Sequence, residues 1–514
     1  MPSHPIVRAV GGVLFLASVA AAAGAGCGPG RWARTEGATP TEGGEGATEP
    51  AEEDDLLGRL FADSPLGELE LRAIFPRRDL ATVDRSAYRL AVAACLFGFP
   101  VAVSYAGTWK AIYDEGNPDR VPFNTMVHMS ELAGPEDTAV PAPNNDTMYS
   151  SASLDLTTEP VVLSVPAVGA RYYSFQLIDA YSSTFGYVGT RATGSEAGSY
   201  VIAGPGWEGE APEGLAVLRS PTPLVWLLGR TLVDGPDDLP ALRAVQEQYR
   251  LQTLSEHTGQ AAPPRVELPF VPPPSLEGAD EIDFYRLMGY AMRVNPPLPR
   301  DMFLASSFRR IGFGGDWTFD PARLTERELN ALRFAAQDAK EFVKALTESG
   351  AATVNGWSRE IPGMGSFGVN YILRAAVAVK GLGANTAEEA CYPTANVDGQ
   401  GNPMSGTDAY ELRFPAGRMP PAQAFWSLTI YDFDTYLLVD NPIDRYSIGD
   451  RTDGLVFGED GSLTIRLQRE PPESDGVNWL PAPAGRFYVV LRIYVPDEEY
   501  LSGAYEIPGI ERLP

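Results

Sequence analysis

Histidine and cysteine are scarce in this chain of 514 residues, with three of each. His4 lies in the extreme N-terminus, and neither His128 nor His257 has a second His three or four residues away. A histidine-built metal centre is therefore set aside, and no metal or cofactor is expected. Basic residues are also few: 40 Lys and Arg against 67 Asp and Glu leave a formal charge of −27, which argues against a nucleic-acid partner. No Gly-x-Ser-x-Gly elbow and no P-loop is present. A Gly-x-Gly-x-x-Gly match at Gly363 to Gly368 follows Pro362 rather than the strand of a βαβ unit, so a turn explains it better than a nucleotide. The loops Asn396-Val397-Asp398-Gly399 and Phe457 to Ser462 carry oxygen ligands but lack calcium-loop spacing. Beyond the N-terminus, no uncharged apolar run is long enough to span a bilayer.

The N-terminus is informative. Arg8, an uncharged apolar stretch from Ala9 to Ala23, and small residues before Cys27 predict a secretory signal peptide over residues 1–26. Gly24-Ala25-Gly26-Cys27 resembles a bacterial lipoprotein cleavage box, with Gly24 where such boxes carry Leu. The expectation is lipidation at Cys27 and a place in the cell envelope: lipid-anchored, at the outer membrane or in the periplasm of a two-membraned cell, otherwise secreted. The membrane is then reached through the lipid alone. Residues 27–56, rich in Gly, Thr, Glu and Ala, read as a disordered acidic tether. Cys95 and Cys391, far apart in the chain, are expected as buried free thiols.

What remains has core material for two or three domains. Residues 57–235 read as a helical segment, broken at Pro100, followed by a first β unit; 236–350 as a helical connector; and 351–514 as a second β unit. In the connector, Thr325 and Glu328 form a capping box ahead of a helix that Gly350 closes.

The two β regions match in four ordered segments. "LSVPA" (163–167) pairs with "LRFPA" (412–416), and "YYSFQLID", ending at Asp179, with "FWSLTIYD", ending at Asp432. Gly189-x-Arg191-x-x-Gly194 pairs with Gly449-x-Arg451-x-x-Gly454, and "GSYVI" with "GSLTI". Two copies of one β unit follow. Alternation places Tyr173, Phe175, Leu177 and Asp179 on one face, and a core-facing carboxylate needs a partner. Asp179 with Arg191, and Asp432 with Arg451, are the expected structural ion pairs.

With these residues in view, the chain resembles a tandem of two paired families of unknown function, numbered 1254 and 1214. The first resemblance rests on Pro143-Asn-x-Asp-Thr-x-Tyr149, "RYYSFQLIDAY", "VGTR" and "SPTPLVWLLGRT". The second rests on "GVNYILRAAVA", "YELRFPAG", "PPAQAFWSLTIYD", "NWLPAP" and "LRIYVP". The resemblance implies an α+β, mainly β fold: two related β-sandwich, jelly-roll-like units with helical segments before and between them. It implies no reaction, substrate or cofactor.

The candidate site is the stretch "PNNDTMY". Asn144, Thr147 and Tyr149 are candidate ligand-binding residues, and His128, Asp146 and Tyr149 are candidates for acid–base chemistry in a hydrolase or lyase. A loop that ties down its own backbone explains the Asn and Asp equally well. If Asn144-x-Asp146 recurs as Asn396-x-Asp398, then Thr147, Tyr149 and His128 have no counterpart in the second copy. That directs a search for a small molecule or envelope partner to the first unit. A third reading is structural, with sandwich pairs assembling as a homo-oligomer.

Overall fold

The computed structural model describes residues 83–514 apart from 139–140, 275–279, 349–351 and 475. The expected signal peptide, the Cys27 lipid site, the tether and Gly350 lie outside the described residues. The fold is α+β and mainly β, with four sheets among the described residues.

The first unit contains β1 (Val127–His128), β2 (Thr147–Asp155), β3 (Val161–Val165), β4 (Tyr173–Asp179), β5 (Thr184–Gly189), β6 (Gly198–Ala203), β7 (Ala216–Arg219), β8 (Leu224–Leu232) and β9 (Arg250–Thr253). These form a five-stranded sheet in the order β1-β2-β8-β4-β5 and a four-stranded sheet in the order β7-β6-β3-β9. Every second residue points to one face of a strand. Leu154, Phe175, Leu177 and Leu227 of the larger sheet thus meet Val161, Leu163 and Ile202 of the smaller in one apolar layer.

In the second unit β10 (Thr353–Val354), β11 (Trp357–Ser358), β12 (Ala390–Cys391), β13 (Thr394–Ala395), β14 (Tyr410–Phe414), β15 (Ala422–Asp432) and β16 (Ser447–Gly449) precede β17 (Leu463–Gln468), β18 (Asn478–Pro481), β19 (Phe487–Pro496) and β20 (Glu511–Arg512). The larger sheet runs β10-β11-β13-β19-β15-β16, with β12 also on β19, and the smaller runs β18-β17-β14-β20. The smaller sheets of the two units have one strand order, including a parallel pair (β6 with β7, β17 with β18) at the same place. In the larger sheets, Ser174 lies opposite Gly189 and Arg230, and Ser427 lies opposite Gly449 and Arg492. The sequence matches therefore fall on matched strands in matched register.

Among the described residues, α1 (Arg85–Ile112), α2 (Ile282–Val294), α3 (Glu326–Glu348) and α4 (Tyr371–Lys380) form a helical layer beside the first unit. They share one apolar cluster that also takes in Ala180, Tyr181 and Leu224 from the edge of the first unit. Asp84 caps α1 by accepting from the Ala87 N–H at 2.8 Å. Contrary to the break expected at Pro100, α1 runs through it for 28 residues. Proline removes one backbone donor, but Pro100 is buried among packed helices, which hold the continuous geometry. α1 is long and apolar enough to cross a membrane, yet 78% of its most apolar window is buried inside the fold. Thr325 and Glu328 make the reciprocal capping bonds ahead of α3. Cys95 and Cys391 are both free and buried.

Candidate functional site at the seam between the β units

The face of each larger sheet that does not enter its own core is turned toward the other unit. On these faces sit side chains that a solvent face would not bury: Ser174, Gln176 and Arg230 from the first unit, Ser427, Thr429 and Arg492 from the second. Register identifies their equivalents. Thr147 lies opposite Leu232 and Ala390 opposite Tyr494, each two residues past the matched arginine. The preceding residues, Asp146 and Glu389, are therefore equivalent positions.

These two acids cross the seam. Arg451 Nη2 donates to Asp146 Oδ1 at 3.2 Å and Ser427 Oγ donates to Asp146 Oδ2 at 2.5 Å. On the matched side, Arg191 Nε donates to Glu389 Oε2 at 2.6 Å and the Tyr172 hydroxyl donates to Glu389 Oε1 at 2.7 Å. Each buried carboxylate thus takes an arginine from the other unit. The expected pairs of Asp179 with Arg191 and of Asp432 with Arg451 do not form. Both aspartates end a strand and accept from the backbone of the following turn: Asp179 from the N–H of Tyr181 and Ser183, Asp432 from those of Asp434 and Thr435. Local turn amides satisfy such an Asp without any long-range partner. Burial pushes the Asp179 carboxyl up to about 6, against the pull of the Ser183 amide and of the Arg374 charge. Arg374 itself is fully buried in the helical layer, 4.0 Å from Asp301 and over the rings of Phe97, Tyr181 and Tyr371.

The stretch "PNNDTMY" is split by this geometry. Asn144 accepts from the Asp146 N–H at 2.7 Å and donates from Nδ2 to Thr147 Oγ1 and to the Tyr494 hydroxyl. Thr147 is buried at 1% exposure, so these two residues brace the loop and hold the second unit. Tyr149 lies opposite Arg230, whose guanidinium sits 5.5 Å from its ring centre. The expectation that Tyr149 lacks a counterpart is corrected by register. β12 places Cys391 opposite Ile493, so Tyr392 is the residue beside Arg492, as Tyr149 is beside Arg230. Asn396-x-Asp398 belongs to a separate turn, in which Asp398 accepts from the N–H of Gln400 and Asn402.

His128 does not share a site with Tyr149. It lies opposite Ser150 in the β1–β2 pair, and its Nδ1 is 2.8 Å from Ser150 Oγ. Neighbours in a strand alternate sides, so Ser150 and His128 face the first unit's core while Tyr149 faces the seam. The His128 ring packs 6.3 Å from that of Tyr249, and burial lowers its pKa to about 4, which leaves it neutral. His128, Asp146 and Tyr149 therefore cannot act on one substrate atom.

Two residues that the sequence reading did not single out organise the seam. Arg230 donates to Gln176 Oε1 (2.7 Å), Asn385 Oδ1 (3.1 Å) and the Gly383 carbonyl (2.9 Å). Arg492 donates to Thr429 Oγ1 (2.6 Å), the Tyr431 hydroxyl (2.5 Å) and the Ala142 carbonyl (3.4 Å). Each arginine holds the loop by which the other unit enters the seam. The signal was available: an Arg in each of the apolar strands "LVWLLGRTL" and "FYVVLRIYVP", at matched places.

Beside this seam opens a cleft of about 780 Å³ lined by both units. Phe185 and Tyr187 of β5 line it together with Trp357 and Tyr500, and Arg191 and Glu360 supply charge. Burial raises the pKa of Glu360, although its carboxylate accepts from the Tyr392 N–H. The cleft wall is tied to the seam, because the Tyr187 hydroxyl donates to Asn385 Oδ1 and accepts from the Thr386 N–H.

Known proteins place the chain by fold and family, not by activity. A crystal structure of the VPA0106 protein from Vibrio parahaemolyticus is similar at a TM-score of 0.65 and 25% identity, covering 83% of this chain and 100% of that one. An uncharacterized protein from Burkholderia cenocepacia aligns at a TM-score of 0.40 and 13% identity over 90% of this chain and 95% of that one. No curated protein matches. Residues 123–253 match the protein family of unknown function DUF1254 and residues 389–498 the family of unknown function DUF1214, so the chain carries these two domains in tandem.

Proposed function

We propose that this is an exported envelope protein, lipid-anchored through Cys27, that binds a ligand where its two β units meet. The observation that carries the binding reading is the cleft of about 780 Å³ with aromatic residues from both units and a half-buried acid, Glu360, and an arginine in its lining. A concave site with a few convergent polar groups and a perturbed carboxyl is where ligands are held. The first unit contributes Phe185, Tyr187 and Arg191 to it. Acid–base chemistry through His128, Asp146 and Tyr149 is not favoured, since Asp146 is engaged by Arg451 and Ser427 and His128 faces away. The export and anchoring part rests on Arg8, the apolar stretch, Cys27 and the polar tether.

A panel of small organic acids, sugars and amino acids tested by melting shift on the full-length protein examines the binding reading. Ser366→Trp, on an exposed part of the cleft lining, should abolish any ligand-induced shift and leave the unliganded melting temperature unchanged. A shift that survives this blockade counts against the cleft. Cys27→Ser should release the protein from membranes; retention would remove the anchor.

A further inference from the structure

We infer that the seam is a seat for an oxyanion, a carboxylate or phosphoryl group, held by tyrosine hydroxyls between two buried arginines. This rests on the reading that the protein takes a ligand between its units, and it adds the ligand's chemistry.

The inference starts from hydrogen-bond accounting. Asn385 Oδ1 faces Arg230, and a guanidinium only donates, so the Asn385 Nδ2 must be the atom directed at Tyr392. It donates to the Tyr392 oxygen at 2.7 Å. Asn144 Oδ1 is likewise fixed by the Asp146 N–H, so its Nδ2 donates to the Tyr494 oxygen at 2.8 Å. Both hydroxyl oxygens are therefore acceptors, and their own hydrogens find no acceptor among the described residues. The Tyr149 hydroxyl has no hydrogen-bond partner at all among the described residues.

Three tyrosines thus keep a donor to spare, and they are neighbours. The rings of Tyr392 and Tyr494 are 6.2 Å apart, and Tyr149 lies 5.5 Å from the Arg230 guanidinium, which holds the same Asn385 that donates to Tyr392. Arg230 and Arg492 flank them at 5% and 4% exposure. Neither arginine has a carboxylate within ion-pair distance among the described residues; their partners are amide, carbonyl and hydroxyl oxygens. Buried charges are ordinarily paired. Two unneutralised guanidiniums beside three spare O–H donors make a place where an anionic oxygen gains most. Tyr149 and Tyr392, both only half-buried, are its open members.

The test uses the full-length chain with acetate, benzoate and inorganic phosphate titrated separately at constant ionic strength, with chloride as reference. Binding is read by tyrosine difference absorbance and by melting shift. At least one oxyanion should bind, and Tyr149→Phe and Tyr392→Phe should each weaken it about tenfold or more, as expected for a hydrogen bond to a charged group. Tyr149→Phe should also melt like the wild type without ligand, because its hydroxyl satisfies nothing. Response to acetate and benzoate alone identifies a carboxylate, response to phosphate alone a phosphoryl group; either supports the seat. No oxyanion binding above chloride, or wild-type affinity in Tyr149→Phe, overturns it. If Ser366→Trp blocks binding that Tyr149→Phe leaves intact, the cleft stands and the oxyanion seat falls. If Tyr149→Phe weakens binding that Ser366→Trp leaves intact, the seat stands and the cleft is not its route.

Discussion

Arg191→Met should cost the folded protein about 3 kcal/mol, at the low end of what breaking a buried ion pair costs. The magnitude follows from what is left behind. Glu389 is buried at 1% side-chain exposure, and Arg191 is its only cationic partner within 4 Å among the described residues. Removing the guanidinium strands that carboxylate, which keeps one hydrogen bond, from Tyr172. That bond, and the 30% exposure of the Arg191 side chain, keep the loss from reaching the upper end. Removing both charges in Arg191→Met/Glu389→Leu should restore part of the stability, leaving mainly the Tyr172 hydroxyl without its acceptor, about 1–2 kcal/mol. Urea unfolding of the two variants and the wild type at neutral pH measures both steps. Because the pair joins the units, hydrogen exchange in β8 and β19 should quicken along with the loss. A single variant within about 1 kcal/mol of wild type, or a double variant less stable than the single, would refute the crossed-pair account.

Two further outcomes follow. Asp179 has a folded pKa raised from 3.8 to about 6, so the native state holds its proton longer and the contribution to stability falls as pH rises through that window, by roughly 3 kcal/mol. His128 is shifted the other way, from 6.5 to about 4, so its contribution is present above 6.5 and is lost as pH falls toward 4. The two slopes oppose each other: Asp179→Asn should make stability rise with pH between 4 and 6, and His128→Leu should make it fall, as urea midpoints across that range will show; unchanged slopes would refute the assignment. Gly189→Ala and Gly449→Ala would set a methyl 2.4 Å from the Tyr173 carbonyl oxygen and 2.2 Å from that of Trp426. Backbone cannot yield as a side chain does, so each should cost about 1–3 kcal/mol in melting experiments, and a wild-type melt would refute the close packing of these matched turns.

Strand alternation made the repeat legible in the sequence, because the apolar face of each matched strand has to enter a core. The same reasoning mispaired Asp179 and Asp432, since it placed them on the core face without foreseeing that a strand's last residue can turn to its own loop. The true partners of Arg191 and Arg451 lie 198 and 305 residues away, in the opposite unit. Nothing in a periodic pattern says that two sheets will present polar faces to each other. Tyr392 was missed for a related reason: "AEEACY" (387–392) lacks the Asn-x-Asp of "NNDTMY" (144–149), and only strand register makes Glu389 and Tyr392 the equivalents of Asp146 and Tyr149. Pro100 misled because the rule for isolated helices ignores the neighbours that keep α1 continuous.

The matched seam also explains why the two halves are not interchangeable. An unaltered repeat would bury the same donors twice and offer two equal seats. Here the equivalents differ where it matters: Tyr494 stands where the first unit has Leu232, Phe425 where it has Tyr172, and Thr429 where it has Gln176. Tyr172 spends its hydroxyl on Glu389, and Phe425 has none to offer Asp146, which takes Ser427 instead. The spare donors are therefore those of Tyr149, Tyr392 and Tyr494, and the Tyr494 ring packs on Tyr172 and Phe425 in one apolar cluster with Leu232. Crossed ion pairs tie the two sheets together, and divergence of the residues between them leaves hydroxyl donors in the seam without acceptors among the described residues. That combination, a symmetric clamp around an asymmetric interior, favours a single ligand bound in one orientation over two bound alike.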